Sequence, residues 1–352
     1  MNLNNKSRMI SNLKNLAFTS ALAFVAASPT ARALEPLPAK PPIPADNPMS
    51  AAKIELGKQL YFDPRLSKSG TVSCNSCHNV MLGGDDNRPT SMGHDGKQGG
   101  RSSPTVWNSA FHSVQFWDGR AASLEEQAKG PVTNPIEMGM DSSDAAVKRL
   151  MSIPGYEKQF KEVFKGEKIT IDQVAKAIAA YERTLLTPNS PFDRFMKGNK
   201  KALNPAAQRG MQLVQTVGCT SCHMGPLFAG PALPQGQGFY QKFPMIPGSE
   251  YETQYELTKD LGRFNVTQKP EDKNFWRVPT WRNVALTAPY FHNGKVKTLD
   301  EAVRVMAKTQ LGKTLTNAEV SDIVEFLNSL TGEFPKQTMP RLPETRNHSV
   351  NE

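Results

Sequence analysis

A chain of 352 residues is long enough for two domains, and its 38% hydrophobic content is ordinary for a soluble globular protein. The 42 Lys and Arg against 33 Asp and Glu give a net charge of +9, but the basic residues form no run, which speaks against a nucleic-acid partner. Beyond the N-terminus no stretch is long and apolar enough to span a bilayer.

Residues 1–33 run from Lys6, Arg8 and Lys14 through an apolar stretch, Leu16 to Ala27, to Ala31-Arg32-Ala33. A basic start, a short apolar run and a small-x-small site together read as a secretory signal cut after Ala33, with an apolar run too short for a membrane anchor. Its four Lys/Arg and no acids would lower the net charge from +9 to +5, enough to steer an acidic partner protein. Residues 34–49 are proline-rich and read as an extended arm that lies on the surface or links to another element.

Structure is expected from Ser50 onward. Ala51 to Tyr61 places Ile54, Leu56, Leu60 and Tyr61 at helical spacing and leads through a polar turn into Cys74-Asn75-Ser76-Cys77-His78. Pro205 to Val214 leads in the same way into Cys219-Thr220-Ser221-Cys222-His223, and Gly57-Lys58-Gln59-Leu60 lines up with Gly210-Met211-Gln212-Leu213. These two units use all four cysteines. Cys-x-x-Cys-His is the c-type haem attachment pattern, in which two thiols form thioethers to the porphyrin vinyls and the adjacent imidazole ligates the iron. For a structural zinc, a His directly after the second Cys breaks the usual ligand spacing. A thioredoxin-like redox pair would sit in a βαβ pattern, and there is none. Two covalently bound haem c groups are expected, which fits export, since such haem is attached outside the cytoplasm; the expected compartment is the periplasm.

A stronger repeat follows each motif. Pro104-Thr105-Val106-Trp107-Asn108-Ser109-Ala110 aligns without gaps to Pro279-Thr280-Trp281-Arg282-Asn283-Val284-Ala285 at an offset of 175, and Phe116, Gly119, Leu124 and Glu126 meet Phe291, Gly294, Leu299 and Glu301 at the same offset. Thr170 to Leu186 and Thr316 to Leu330 read as amphipathic helices with Thr as N-cap. Helical segments alternate with Pro/Gly-rich loops and no segment sustains a two-residue alternation, so the expected fold is mainly α: two tandem cytochrome c-like domains, each with one covalent haem, facing a shared interface.

The repeat also bears on the second axial ligand of each iron. The helix from Leu299 carries Met306, and His/Met ligation raises a haem's potential. A Met at helical spacing is also a common core filler, and Met211, Met245 and Met138 are fallback ligands. The position 175 residues before Met306 is Pro131, which has no ligand atom, so the first iron must find another ligand or stay open. The candidate is His94, in a stretch from Leu82 to Gly100 with six glycines, where a His can bind iron or leave it; a plain surface-loop His is the competing reading.

Over essentially the whole length after the signal segment, the chain resembles the bacterial di-haem cytochrome c peroxidases. The matching motifs are Cys74-Asn75-Ser76-Cys77-His78-Asn79, Gln115-Phe116-Trp117-Asp118-Gly119-Arg120, Leu124-Glu125-Glu126-Gln127-Ala128, Leu286-Thr287-Ala288-Pro289-Tyr290-Phe291-His292 and Leu311-Gly312. The resemblance implies a peroxidatic N-terminal haem, on His78, and a C-terminal haem, on His223 and Met306, that passes it electrons from a small donor protein. It implies that His94 caps the first iron at rest and is released on reduction of the other haem, and that Trp117 bridges the haems. Glu137 matches the family's distal-pocket acid, with Gln127 beside it; a carboxylate there can carry a proton from the near to the far oxygen of a bound peroxide. The family also binds Ca²⁺ between its domains, and the matching positions are Ser102, Thr287 and Pro289. The family has Asn at the first of these, and that departure leaves calcium affinity open.

The resulting expectation is a periplasmic, homodimeric peroxidase that reduces hydrogen peroxide with electrons from a small cytochrome c or cupredoxin. Its domains would be a haem domain over 50–198, a second over 199–335 and a tail over 336–352. The rivals are a related di-haem enzyme that oxidises tryptophans of a partner protein, which carries Tyr where this chain has Met306, and a di-haem electron carrier with two permanently six-coordinate irons.

Overall fold

Helix-starting residues and close helix contacts recur in two copies throughout the computed structural model of the chain, which describes residues 34–345 and 349–350. The signal segment expected over residues 1–33 lies outside the described residues. The helices are α1 (Ala51–Phe62), α2 (Cys74–Cys77), α3 (Leu124–Thr133), α4 (Ser143–Met151), α5 (Pro154–Val163), α6 (Ile171–Glu182), α7 (Pro191–Met196), α8 (Pro205–Val217), α9 (Glu250–Gln254), α10 (Phe264–Thr267), α11 (Leu299–Leu311) and α12 (Asn317–Asn328). Among the described residues, two three-residue strands, β1 (Tyr240–Lys242) and β2 (Phe275–Arg277), form the one small antiparallel sheet, with Gln241 opposite Trp276. The protein is therefore mainly helical, and no described helix is long and apolar enough to cross a membrane.

Local chemistry sets the helix boundaries. Thr170 and Thr316 cap α6 and α12 in reciprocal boxes with Gln173 and Glu319, satisfying N–H groups that a helix start would otherwise leave unpaired. On α3, the polar end comes early because Asn134 precedes Pro135 and is held extended; its N–H reaches only as far back as Pro131 O. The equivalent helix α11 meets no such block and continues to Leu311, where Gly312 takes the left-handed conformation that ends it.

One core gathers residues from Leu56 to Leu185, with α1 packed against α6; the second gathers residues from Phe192 to Leu330, with α8 packed against α12. Both pairs need a glycine at the crossing. A Cβ on Gly57 would collide with the carbonyl of Ala177, and one on Gly210 with that of Asp322. This is the physical reason for the aligned Gly-x-Gln-Leu segments.

The repeat extends to the backbone and to the contacts between copies. Asn108 and Asn283 have φ of 62° and 61°, Phe116 and Phe291 both have 69°, and the bridge Gln115–Ala121 recurs as Tyr290–Val296. Arg277 N–H donates to Trp117 O at 2.9 Å, while Ser102 N–H donates to His292 O at 2.7 Å. Each position in one bond is the 175-residue equivalent of a position in the other, with donor and acceptor exchanged between copies. That reciprocity is what an approximate two-fold axis between the copies produces. Near it, Asn108 and Asn283 both hydrogen-bond Thr187.

Two straps cross between the cores. The arm begins in the second, where Leu34 and Leu37 are buried, Leu37 N–H donates to Asp193 and Glu35 O accepts from Arg282. It ends on the first, where buried Asn47 bonds Lys176 O and Glu125. The C-terminal segment runs the opposite way: Phe334 packs edge-on against Trp107, Tyr181 donates to Gln337, and Arg65 donates to Pro343 O.

Candidate haem sites

The second Cys-x-x-Cys-His unit follows α8 directly, and its side chains face a cavity of about 360 Å³ with largely apolar walls. Cys219, Cys222, His223 and Met306 all line it, the last from α11. Nδ1 of His223 lies 2.8 Å from Phe228 O; a carbonyl only accepts, so Nδ1 carries the proton and Nε2 keeps its lone pair. Burial pushes this imidazole down to about 4, so it is neutral. Trp281 stacks on its ring at 4.3 Å. A neutral, oriented imidazole whose other nitrogen is tied to a backbone carbonyl is the arrangement a metal-ligating His requires. Of the fallback methionines, Met138 is buried in the first core and Met211 packs against the second, whereas Met245 lines the cavity with its side chain half in solvent.

The first unit repeats this arrangement. His78 Nδ1 donates to Pro104 O at 2.9 Å, burial lowers its pKa, and Tyr61 OH holds the His78 carbonyl at 2.6 Å. None of the four cysteines forms a disulfide, and burial pushes Cys77 and Cys219 up to about 11. A redox-active pair needs a thiol pKa lowered towards neutrality, which these thiols lack. Among the described residues no cluster of three or more His, Cys, Asp or Glu side chains is placed to hold a metal ion. The residues present fit haem.

A model of the family described as di-haem cytochrome c peroxidase matches residues 51–201. The cytochrome c551 peroxidase of Nitrosomonas europaea is 46% identical over 300 residues, covering 85% of this chain and 86% of the relative. That of Pseudomonas aeruginosa is 44% identical over 311 residues, covering 88% and 87%. The chain belongs to the di-haem cytochrome c peroxidase family. A crystal structure of a MauG-like protein associated with microbial copper homeostasis superposes with a TM-score of 0.73 at 29% identity, covering 84% of this chain and 95% of that one.

For a member of this family, the other sequence-derived candidates fall into two groups. Trp117, Ser102, Thr287 and Pro289 line the same cavity as His223, and Trp117 donates its indole N–H to Ser102 O at 2.8 Å. Pro131, Gln127 and Glu137 belong to α3 and the turn after it. Gln127 is half-buried on the helix, and Pro131 occupies the helical position that Met306 has on α11. Glu137 accepts from Asn134 Nδ2 at 3.0 Å; burial raises its pKa, while the Arg120 guanidinium pulls it down. His94 is buried against this same turn, with Nε2 2.9 Å from Pro135 O and Nδ1 3.0 Å from Asp95 without hydrogen-bond alignment.

Sequence reasoning gave no site role to three residues, although His292 stands in one of the matching motifs. Arg277 is buried without a carboxylate partner; it lines the cavity, donates to Phe116 O at 3.1 Å and lies 3.1 Å from His112 Nδ1. Burial lowers it to about 10, so it remains a cation at neutral pH. His112 is kept neutral by burial and by that guanidinium. His292 stacks on Trp276 at 4.1 Å, and burial pushes it down to about 4. The repeat held a signal for all three: His292 is the equivalent of Trp117, Arg277 of Ser102, and His112 of Thr287.

Proposed function

We propose that the protein is a periplasmic di-haem peroxidase that reduces hydrogen peroxide to water, with one haem on Cys74, Cys77 and His78 and the other on Cys219, Cys222 and His223. The observation that carries this is an asymmetry between otherwise equivalent copies. Met306 and His223 wall one cavity, whereas the position of Met306 in the first copy is Pro131, followed by the turn that bears half-buried Glu137. One site is closed by a soft ligand, which favours a high potential; the other offers a carboxylate in place of a ligand.

When bound, the first haem supplies an open iron position and redox equivalents. Glu137, with its pKa raised by burial, would take the proton from one peroxide oxygen and give it to the other, which leaves as water. Two electrons from the donor and two protons convert the remaining oxygen to the second water. Gln127, half-buried on α3 one turn before Pro131, is the second polar group of this proposal. His94 holds the first site closed at rest and leaves when the second haem is reduced. Trp117, between the copies, carries electrons across. The relatives are named for cytochrome c551, which favours a small cytochrome c as donor, with a cupredoxin as the other candidate.

A Ca²⁺ held by oxygens of Ser102, Thr287 and Pro289 belongs to this reading. Its support is the repeat: Ser102 and Thr287 are the equivalents of Arg277 and His112, which touch. The Ser102 carbonyl accepts the Trp117 indole and has a second lone pair. We further propose the domain division at 198/199, a homodimer, and export through residues 1–33. The partner-oxidising alternative is disfavoured by Met306, and the pure electron carrier by Glu137.

The decisive experiment is a peroxide assay on oxidised and half-reduced holoprotein with reduced cytochrome c as donor. Turnover is expected from the half-reduced form; no turnover from either form would leave an electron carrier.

A further inference from the structure

His94 sits in a loop with exposed neighbours, including Met92 at 49% and Leu82 at 49% exposure, yet it is itself only 3% exposed. What buries it is the turn Asn134–Gly139, and the fit is specific. His94 Nε2 lies 2.9 Å from Pro135 O, and its backbone N–H donates to Glu137 O at 2.7 Å. A carbonyl only accepts, so Nε2 donates to Pro135 O, and Lys97 Nζ, from the His94 loop, donates to that same carbonyl at 3.1 Å. Gly139 has φ of +67°, and a Cβ there would collide with Nε2, Cδ2 and Cε1 of the imidazole. The turn is also preformed: Asn134 O accepts from the N–H groups of Glu137 and Gly139, and Asn134 Oδ1 accepts from that of Ile136.

We infer that the Asn134–Gly139 turn is a receptor for the His94 imidazole, with Gly139 shaping the slot and Lys97 latching it, so that His94 leaves the first iron for a defined docked position. This rests on the gating reading above. The physical argument is one of populations. A ligand swinging into solvent gains only hydrogen bonds to water and freedom of motion, and nothing there holds it in one place. A docked imidazole gains contacts that exist only in the open form, and an equilibrium shifts only by such differences. The docked loop also clamps the Glu137 backbone, which ties opening of the site to placement of its carboxylate. Gly139 and Lys97 are thus positioning residues.

The test reads the spin state of the first haem in half-reduced holoprotein by electron paramagnetic resonance and visible absorption. Lys97→Met should raise the ratio of six-coordinate low-spin to high-spin haem by about fivefold, the shift that loss of one ordinary hydrogen bond produces, and Gly139→Ala, which fills the slot, should raise it by at least as much. Lys97→Met puts no strain on the backbone, so it decides the matter if Gly139→Ala does not fold. His94→Ala should give a high-spin first haem at every redox state, and adding Gly139→Ala to it should change nothing. A low-spin resting signal that survives His94→Ala sinks the gating reading itself. If His94→Ala abolishes that signal while Lys97→Met and every folded Gly139→Ala sample keep the wild-type ratio, gating stands and the receptor is refuted.

Discussion

Trp117 donates its indole N–H to the carbonyl of Ser102 at 2.8 Å, and the N–H of Ser102 in turn donates to His292 O. Ser102 therefore joins two residues that occupy equivalent places in the two copies. The aromatic ring and its orientation are held by one short polar link in a mostly apolar wall. Trp117→Phe keeps an aromatic group but removes that link. Electron passage from the second haem to the first should slow in stopped-flow traces, and stability should fall by ~1 kcal/mol. Transfer at the wild-type rate would take Trp117 off the route.

Met306 shares its cavity with His223, and its replacement by Ala removes the soft axial ligand proposed for that haem. The potential of the haem on His223 should drop markedly in a redox titration, while that of the other haem stays near its original value. An unaltered pair of potentials would point instead to Met245, which also reaches the cavity.

Glu137 has its pKa raised by burial, and its proposed first task is to accept a proton. A base works when deprotonated, so the acid limb of kcat/KM should fall at a pH above the ordinary Glu range of about 4.3. In Glu137→Gln, turnover should fall by about 10²-fold or more, with the limb absent. A limb that persists in the variant belongs to another group.

Glu182 is buried beside the first haem site, near Cys74 and Tyr61, and Oε2 has no hydrogen-bond partner. Burial pushes its pKa up to about 8, so the folded protein binds a proton there that the unfolded chain releases near 4.5. Its contribution is complete below about pH 4.5 and is lost as pH rises towards 8. Chemical denaturation should show the wild type losing stability over that window, on the order of a few kcal/mol at most, and Glu182→Gln losing less. Parallel curves for the two proteins would contradict this.

The sequence alone determined the two Cys-x-x-Cys-His units, the helical class and the repeat. Each rests on local spacing: Cys-x-x-Cys-His is a five-residue chemical unit, Thr170 and Thr316 cap the helices they precede, and a 175-residue offset survives divergence. The same offset located the asymmetry between Met306 and Pro131, because equivalent helix positions face equivalent neighbours. Tertiary structure decided what depends on pairing across long separations. The burial of Leu34 and Leu37 against Asp193 and Arg282 turned a proline-rich arm into a strap, and no local pattern announces a partner over 150 residues away. The cation Arg277 read as an ordinary basic residue until folding enclosed it without a carboxylate. His94 could be named from its loop, but its place against Gly139 could not, since a glycine's missing side chain leaves no mark in sequence until another ring occupies the space.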